Sequence, residues 1–202
     1  MKHEWRKHEK HLYGVKQSPR IVNIPMQQFI MIDGKGNPND KDFSDKVSTI
    51  YYLAYAIKML YKNTAISSEI CDYTVYPLEA IWKKVDNAEQ LDKSQLEYTV
   101  MIRQPDFITK DMVFDALERV KLKKPNGLYE KIYFDTMQDA KCIEILHIGA
   151  YDDEPMSFKK MDFLAKENNL NRSENYHREI YLNNTNRVLK SKLKTILRYC
   201  VK

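Results

Sequence analysis

Glu179 stands in the run Asn175-Tyr-His-Arg-Glu-Ile-Tyr-Leu182, an apolar and aromatic setting for a carboxylate. If such a group is buried without partners it costs several kcal/mol, so a chain that keeps one must satisfy it or use it on a ligand. Strand alternation puts His177, Glu179 and Tyr181 on one face and Arg178 and Ile180 on the other. In the preceding strand Ile143, Ile145 and His147 share a face, and Tyr151 follows the Gly149 exit, at a rim from which it can reach inward. Earlier in the chain Tyr76 and Trp82 offer a second aromatic wall, which Tyr55 and Tyr133 extend. Each residue also has a plainer reading. Glu179 can be an edge-strand carboxylate paired with Arg178 or a lysine, His147 and His177 can be satisfied structural histidines, and Trp82 can be core. Glu79 and Asp33 are rival carboxylates.

Aromatic faces attract cations and flat heterocycles, and a carboxylate adds a counter-charge. The expected ligand is therefore a flat aromatic or cationic small molecule. A carboxyl group in an apolar pocket holds its proton more tightly, which brings it into the range of a general base at neutral pH. Water activated by Glu179 could attack an electrophilic carbon held against the aromatic wall while a tyrosine hydroxyl stabilises charge growing elsewhere on the ligand. Other chemistries lack their signatures. No Gly-x-Ser-x-Gly is present, and Gly34-Lys-Gly36 lacks the third glycine and the Gly-Lys-Ser/Thr ending of a phosphate loop. His3, His8 and His11 contain no i, i+4 pair, so no metal and no cofactor is expected.

These residues need elements to hold them. Strands are expected at 28–34, 73–85, 96–103, 131–134, 141–148, 178–182 and 193–201, with Pro77 marking a bulge or edge in the second. Phe43, Val47, Ile50, Ala54, Ile57 and Tyr61 predict a helix over 43–62 capped by Asp42. A second helix follows Thr109 and ends at Pro125-Asn-Gly127, and a third follows Pro155. Gly34 lies nine residues before Phe43 and Gly149 nine before Phe158, and strand motifs recur in the same order. The chain thus reads as an α+β fold of two duplicated β-α-β-β halves, with an antiparallel sheet, helices on one side and a ligand cleft between the halves. Residues 1–20 form an N-terminal arm. Residues 21–202 form a single domain whose halves span about 21–125 and 126–202.

Composition narrows the class. The 202 residues carry 14 tyrosines and a net charge of +5, which suits a wall both greasy and hydrogen-bonding and gives no stripe for nucleic acid. Mean hydropathy is −0.61 and no long uncharged apolar run occurs, so no membrane span is expected. Cys71, Cys142 and Cys200 are odd in number and widely spaced, and no secretory signal opens the chain, which together point to reduced thiols in the cytoplasm.

Four motifs, Phe29-Ile-Met-Ile-Asp-Gly-Lys-Gly-Asn-Pro38, Met101-Ile-Arg-Gln-Pro-Asp-Phe-Ile-Thr109, Leu146-His-Ile-Gly-Ala-Tyr-Asp-Asp-Glu-Pro155 and Glu179-Ile-Tyr-Leu182, resemble the GyrI-like small-molecule-binding domain from about residue 20 onward. The resemblance implies the GyrI-like, SHS2-type fold with its cleft, and Glu179 at the position of the family's cleft glutamate, which faces cationic aromatic ligands in multidrug-sensing relatives. About 20 residues precede the first strand, too few for the helix-turn-helix that many relatives carry. The stand-alone members it most resembles include cyclopropanoid cyclopropyl hydrolases, which open the cyclopropane of yatakemycin-type alkylating toxins in an aromatic cage. On that resemblance Trp82, Tyr151 and Glu179 take the site roles, and Tyr76, Tyr181, His147, Tyr133 and Tyr55 are placed by strand parity or position. The alternative it implies is a non-catalytic drug binder, or a modulator of a protein partner such as DNA gyrase.

Overall fold

The apolar run Phe29-Ile-Met-Ile32 does not alternate, as a strand covered on both faces requires. It forms the middle of β3 (Gln27–Lys35), which pairs antiparallel with β6 (Glu97–Gln104) on one edge and β7 (Tyr133–Met137) on the other. The structure is a computed structural model that describes residues 1–65, 69–83, 93–184 and 187–202. Before β3 come β1 (Lys2–His3), two single-turn helices α1 (Trp5–His8) and α2 (Lys10–Tyr13), and β2 (Arg20–Ile24). After it come α3 (Lys41–Thr64), β4 (Asp72–Tyr73), β5 (Leu78–Lys83), β6 and α4 (Lys110–Lys123). The second half runs β7, β8 (Ala140–Ile148), α5 (Glu154–Glu167), β9 (Tyr176–Tyr181) and β10 (Lys194–Cys200).

One eight-stranded antiparallel sheet carries both halves in the order β2-β8-β10-β9-β5-β6-β3-β7. The series β8-β10-β9 repeats β3-β6-β5 about a pseudo-twofold between β9 and β5, so the α+β duplication is real. The leading strands are exchanged. β2 directly precedes β3 in the chain yet pairs with β8, and β7 directly precedes β8 yet pairs with β3. Each half therefore completes the other's edge, and neither is a full sheet alone.

Several local expectations are revised. α3 begins two residues early, with Asp40 at its N-cap making no side-chain cap bond, while Asp42 sits in the first turn and pairs with Lys46. A carboxylate there still faces the positive end of the helix. Pro77 lies just ahead of β5, where its missing N–H breaks no ladder bond, so β5 runs unbroken between β6 and β9. Residues 84 and 85 of the expected 73–85 strand lie outside the described residues. Thr109 caps α4 by accepting from the Met112 N–H, and Pro155 falls within the first turn of α5, the position a helix tolerates.

The N-terminal arm is less polar in effect than in composition. Trp5, Leu12, Tyr13 and Val15 are buried, and the Trp5 indole N–H donates to the Val75 carbonyl (3.0 Å). The arm covers the sheet face opposite α3 and α5, where Arg103 donates to both Glu9 and Tyr13.

Candidate functional site

β9 is a central strand, and its ladder fixes what surrounds Glu179. Ala80 of β5 and Leu197 of β10 lie directly across from it, Trp82 faces His177, and Leu78 faces Tyr181. Of these, Ala80 presents only a methyl group beside the carboxylate. Alternation puts Glu179, His177, Tyr181 and Trp82 on the face that carries the long helices. Phe43 of α3 stacks on Trp82 (centroids 5.8 Å), and Phe158 of α5 meets the His177 ring edge-on (4.9 Å). The site thus lies between α3 and α5, over the junction of the two halves.

Both carboxylate oxygens of Glu179 are engaged. Tyr181 Oη donates to Oε2 (2.7 Å), His177 Nε2 donates to Oε1 (2.9 Å), and Trp82 Nε1 donates to Tyr181 Oη (3.1 Å). Burial raises the Tyr181 hydroxyl well above its ordinary range, with the Glu179 charge adding to it, so this phenol stays protonated and remains a donor. Tyr151 closes the rim, its ring 5.9 Å from that of Tyr181 in a T-shaped contact. Its hydroxyl is pushed up to about 12, first by burial and then by Glu179.

A second carboxyl group completes the cluster. Glu154, the first residue of α5, is 7% exposed, and its Oε1 has no hydrogen-bond partner. Burial, then the neighbouring charge and hydrogen bond of Glu179, raises its carboxyl to about 9. At neutral pH Glu154 therefore holds a proton, since two carboxyls this close do not both ionise. The donor atoms of Glu154, His177 and Glu179 lie within 4.8 Å of one another. A divalent cation there would first have to displace that proton. Sequence reading overlooked Glu154. The available signal was its place beside Pro155 at a helix start, from which a first-turn side chain points back over the preceding strand exit.

The expected residues divide. Trp82, Tyr151, Glu179 and Tyr181 come together as one cluster. His147 does not join it, because Nδ1 pairs with Ser157 Oγ (2.9 Å) and Nε2 with the Ala150 carbonyl (3.0 Å). His147 ties β8 to α5 and so fixes the turn that presents Tyr151 and Glu154. Tyr76 lies on the wrong side of the sheet. The break at Pro77 ends strand parity, and Tyr76 turns under the arm, where it donates to Glu9 and lies beneath the Arg103 guanidinium (4.9 Å). Tyr133 sits on the edge strand β7, three strands removed from β5, and donates to Asp33 (3.0 Å). Tyr55 is 55% exposed on α3. Open depressions of about 450 Å³ at the end of α5 and about 490 Å³ beside α3 contain none of the clustered residues.

Two substitutions separate these roles. Trp82→Ala, which empties the space between Phe43, Tyr98 and Tyr181, is expected to cost about 3–5 kcal/mol, read from denaturant midpoints. Tyr76→Phe deprives the half-buried Glu9 of a donor and is expected to cost about 1–3 kcal/mol while leaving ligand binding unchanged. A loss of ligand affinity without a loss of stability would return Tyr76 to the site.

Residues 17–200 match the family model for the GyrI-like small molecule binding domain. The chain belongs to the GyrI-like family. Among solved structures, an uncharacterised conserved protein from Listeria innocua is 28% identical with a TM-score of 0.91, covering 99% of this chain and 100% of its own. A hydrolase from the same organism is likewise 28% identical, with a TM-score of 0.90 and full coverage of both chains. The C-terminal domain of EcmrR is 12% identical with a TM-score of 0.54 over 92% of this chain and 97% of its own, a likeness of fold. No curated protein matches the chain. In this GyrI-like domain the clustered carboxyls lie at the junction of the repeats. Among its described residues no helix is long and apolar enough to cross a membrane.

Proposed function

We propose that this GyrI-like protein is a xenobiotic hydrolase that adds water to a flat, aromatic electrophile, with the cyclopropane-bearing DNA alkylators as its substrate class. The observation that carries the reading is the pair of buried carboxyl groups, Glu154 and Glu179, walled by Trp82, Tyr181 and Tyr151. The 28% identical Listeria hydrolases support the reaction type. Glu179 accepts from two donors and has a protonated neighbour. Its oxygens accept a proton from water as the water oxygen bonds to the strained ring carbon. The ring C–C bond breaks, its electron pair passes through the conjugated system to the carbonyl oxygen, the resulting phenolate takes a proton from solvent, and Glu179 returns its proton to solvent. Tyr151 at the rim donates to developing negative charge, because its hydroxyl keeps its proton to about pH 12.

Incubating the full chain with a cyclopropane-bearing alkylator tests this by mass spectrometry. The expected product is ring-opened and heavier by one water, formed over many turnovers. Protection that saturates at one equivalent of protein, with the alkylator recovered intact, would favour the second reading, a drug-sequestering binder. That reading draws on the family's small-molecule binding and on the tight packing of Tyr151 against Tyr181.

A further inference from the structure

On the sheet face away from the carboxyl pair, β8 and β10 bring Cys142 and Cys200 directly opposite each other. The Val201 N–H donates to the Lys141 carbonyl (2.9 Å), so the cysteines form the adjacent non-hydrogen-bonded pair, the closer of the two kinds. Their Sγ atoms are 3.6 Å apart. Ala140 takes a left-handed φ of 55° at the β7–β8 turn, just after Asp139, whose carboxylate lies at the same thiols. One donor atom from each of the three residues falls within 4.8 Å of the other two, and all three residues are buried. Asp139 Oδ2 makes no hydrogen bond, although the guanidiniums of Arg178 and Arg198 lie 3.1 and 3.8 Å away.

We propose that Cys142, Cys200 and Asp139 form a binding site for a thiophilic d10 cation, with Zn²⁺ as the ion. Two thiolates at about 2.3 Å from a tetrahedral ion stand roughly 3.8 Å apart, close to the observed separation, whereas a disulfide would need about 2.05 Å. Charge also balances. Zn²⁺ displaces two thiol protons, so the net charge buried among Arg178, Arg198, Glu79 and Glu144 does not change, and the usual penalty for burying a cation is avoided. Arg178 donates to Asp139 Oδ1 (3.1 Å) and so holds the carboxylate in place, as outer partners of metal ligands do. Water takes the fourth position. Arg178 directly precedes Glu179 on β9, so the ion braces from behind the strand that bears the carboxylate. The spacing concealed the site, because the cysteines are 58 residues apart and meet only through the β8–β10 pairing.

The test is titration of the reduced, metal-free full chain with Co²⁺ as a spectroscopic probe, followed by displacement with Zn²⁺. Expected are one ion per chain, thiolate-to-cobalt charge-transfer absorption with a tetrahedral visible spectrum, release of about two protons, and a higher Tm with Zn²⁺. Cys200→Ser, a change of one atom in the side chain, should weaken binding at least about 100-fold, more than loss of an outer partner does. Asp139→Asn should weaken it while sparing the charge-transfer band, and Cys71→Ser should change nothing. The assignment is overturned by absence of the band, by a band that survives Cys200→Ser or vanishes in Cys71→Ser, or by mild oxidation to a Cys142–Cys200 disulfide in a chain that takes up no ion.

Discussion

Glu179→Gln is expected to lower the rate of alkylator hydrolysis by about 10²–10⁴-fold, the span of a lost general base. The amide keeps the shape of the carboxylate, and its oxygen still accepts from Tyr181, so the aromatic wall should stand. Binding of a neutral flat ligand, followed by quenching of indole fluorescence, should then change by only a few fold. A cationic ligand should bind more weakly, because the amide offers no counter-charge. Unchanged Tm beside collapsed turnover would locate the loss in the chemical step. Glu154 responds too. With the Glu179 charge removed, one cause of its raised proton affinity disappears, and it should ionise at lower pH in the variant. A Glu179→Gln protein that opens the ring at the wild-type rate would sink the hydrolytic role of this residue.

What the sequence made legible follows from what short-range rules can carry. The period-2 pattern around Glu179 put His177, Glu179 and Tyr181 on one face, and the ladder agrees, because β9 is regular over its whole length. The same rule misplaced Tyr76, which lies one residue before Pro77 and ahead of β5, where parity no longer applies. It could not tell that Tyr133 belongs to an edge strand, because the exchange of β2 and β7 between halves is a long-range pairing. The duplication was readable from the recurrence of Gly34 to Phe43 as Gly149 to Phe158, while the swapped leading strands had no local mark. Glu154 was hidden for a related reason. It looks like an ordinary acidic residue in a helix first turn, and only the packing of α5 across β8 and β10 puts it beside Glu179. Among the four residues that do meet, each was picked for an aromatic or acidic side chain. What no pattern supplied was the proton held by Glu154 beside them.

That proton is open to direct measurement. The Glu154 carboxyl is raised from 4.5 to about 9 in the folded chain, by burial first and by Glu179 second. A raised carboxyl favours folding most below the unfolded value, and that contribution is lost as pH climbs through the folded one. Wild-type stability should therefore decline between about pH 5 and pH 9, by up to about 1.4 kcal/mol per pH unit from this residue. Glu154→Gln cannot ionise. Urea midpoints of that variant should lack this decline and should exceed wild type most at the alkaline end. Catalysis should move in step. The pair acts as a base while it holds a single proton, so kcat/KM of the wild type should bend near pH 9 as the second carboxyl ionises, a bend absent from Glu154→Gln. The two readouts answer different questions. Parallel stability profiles for wild type and variant would show that Glu154 is ionised throughout and would remove its proton. A stability difference without a change in the rate profile would leave the pair in place but take Glu154 out of the reaction.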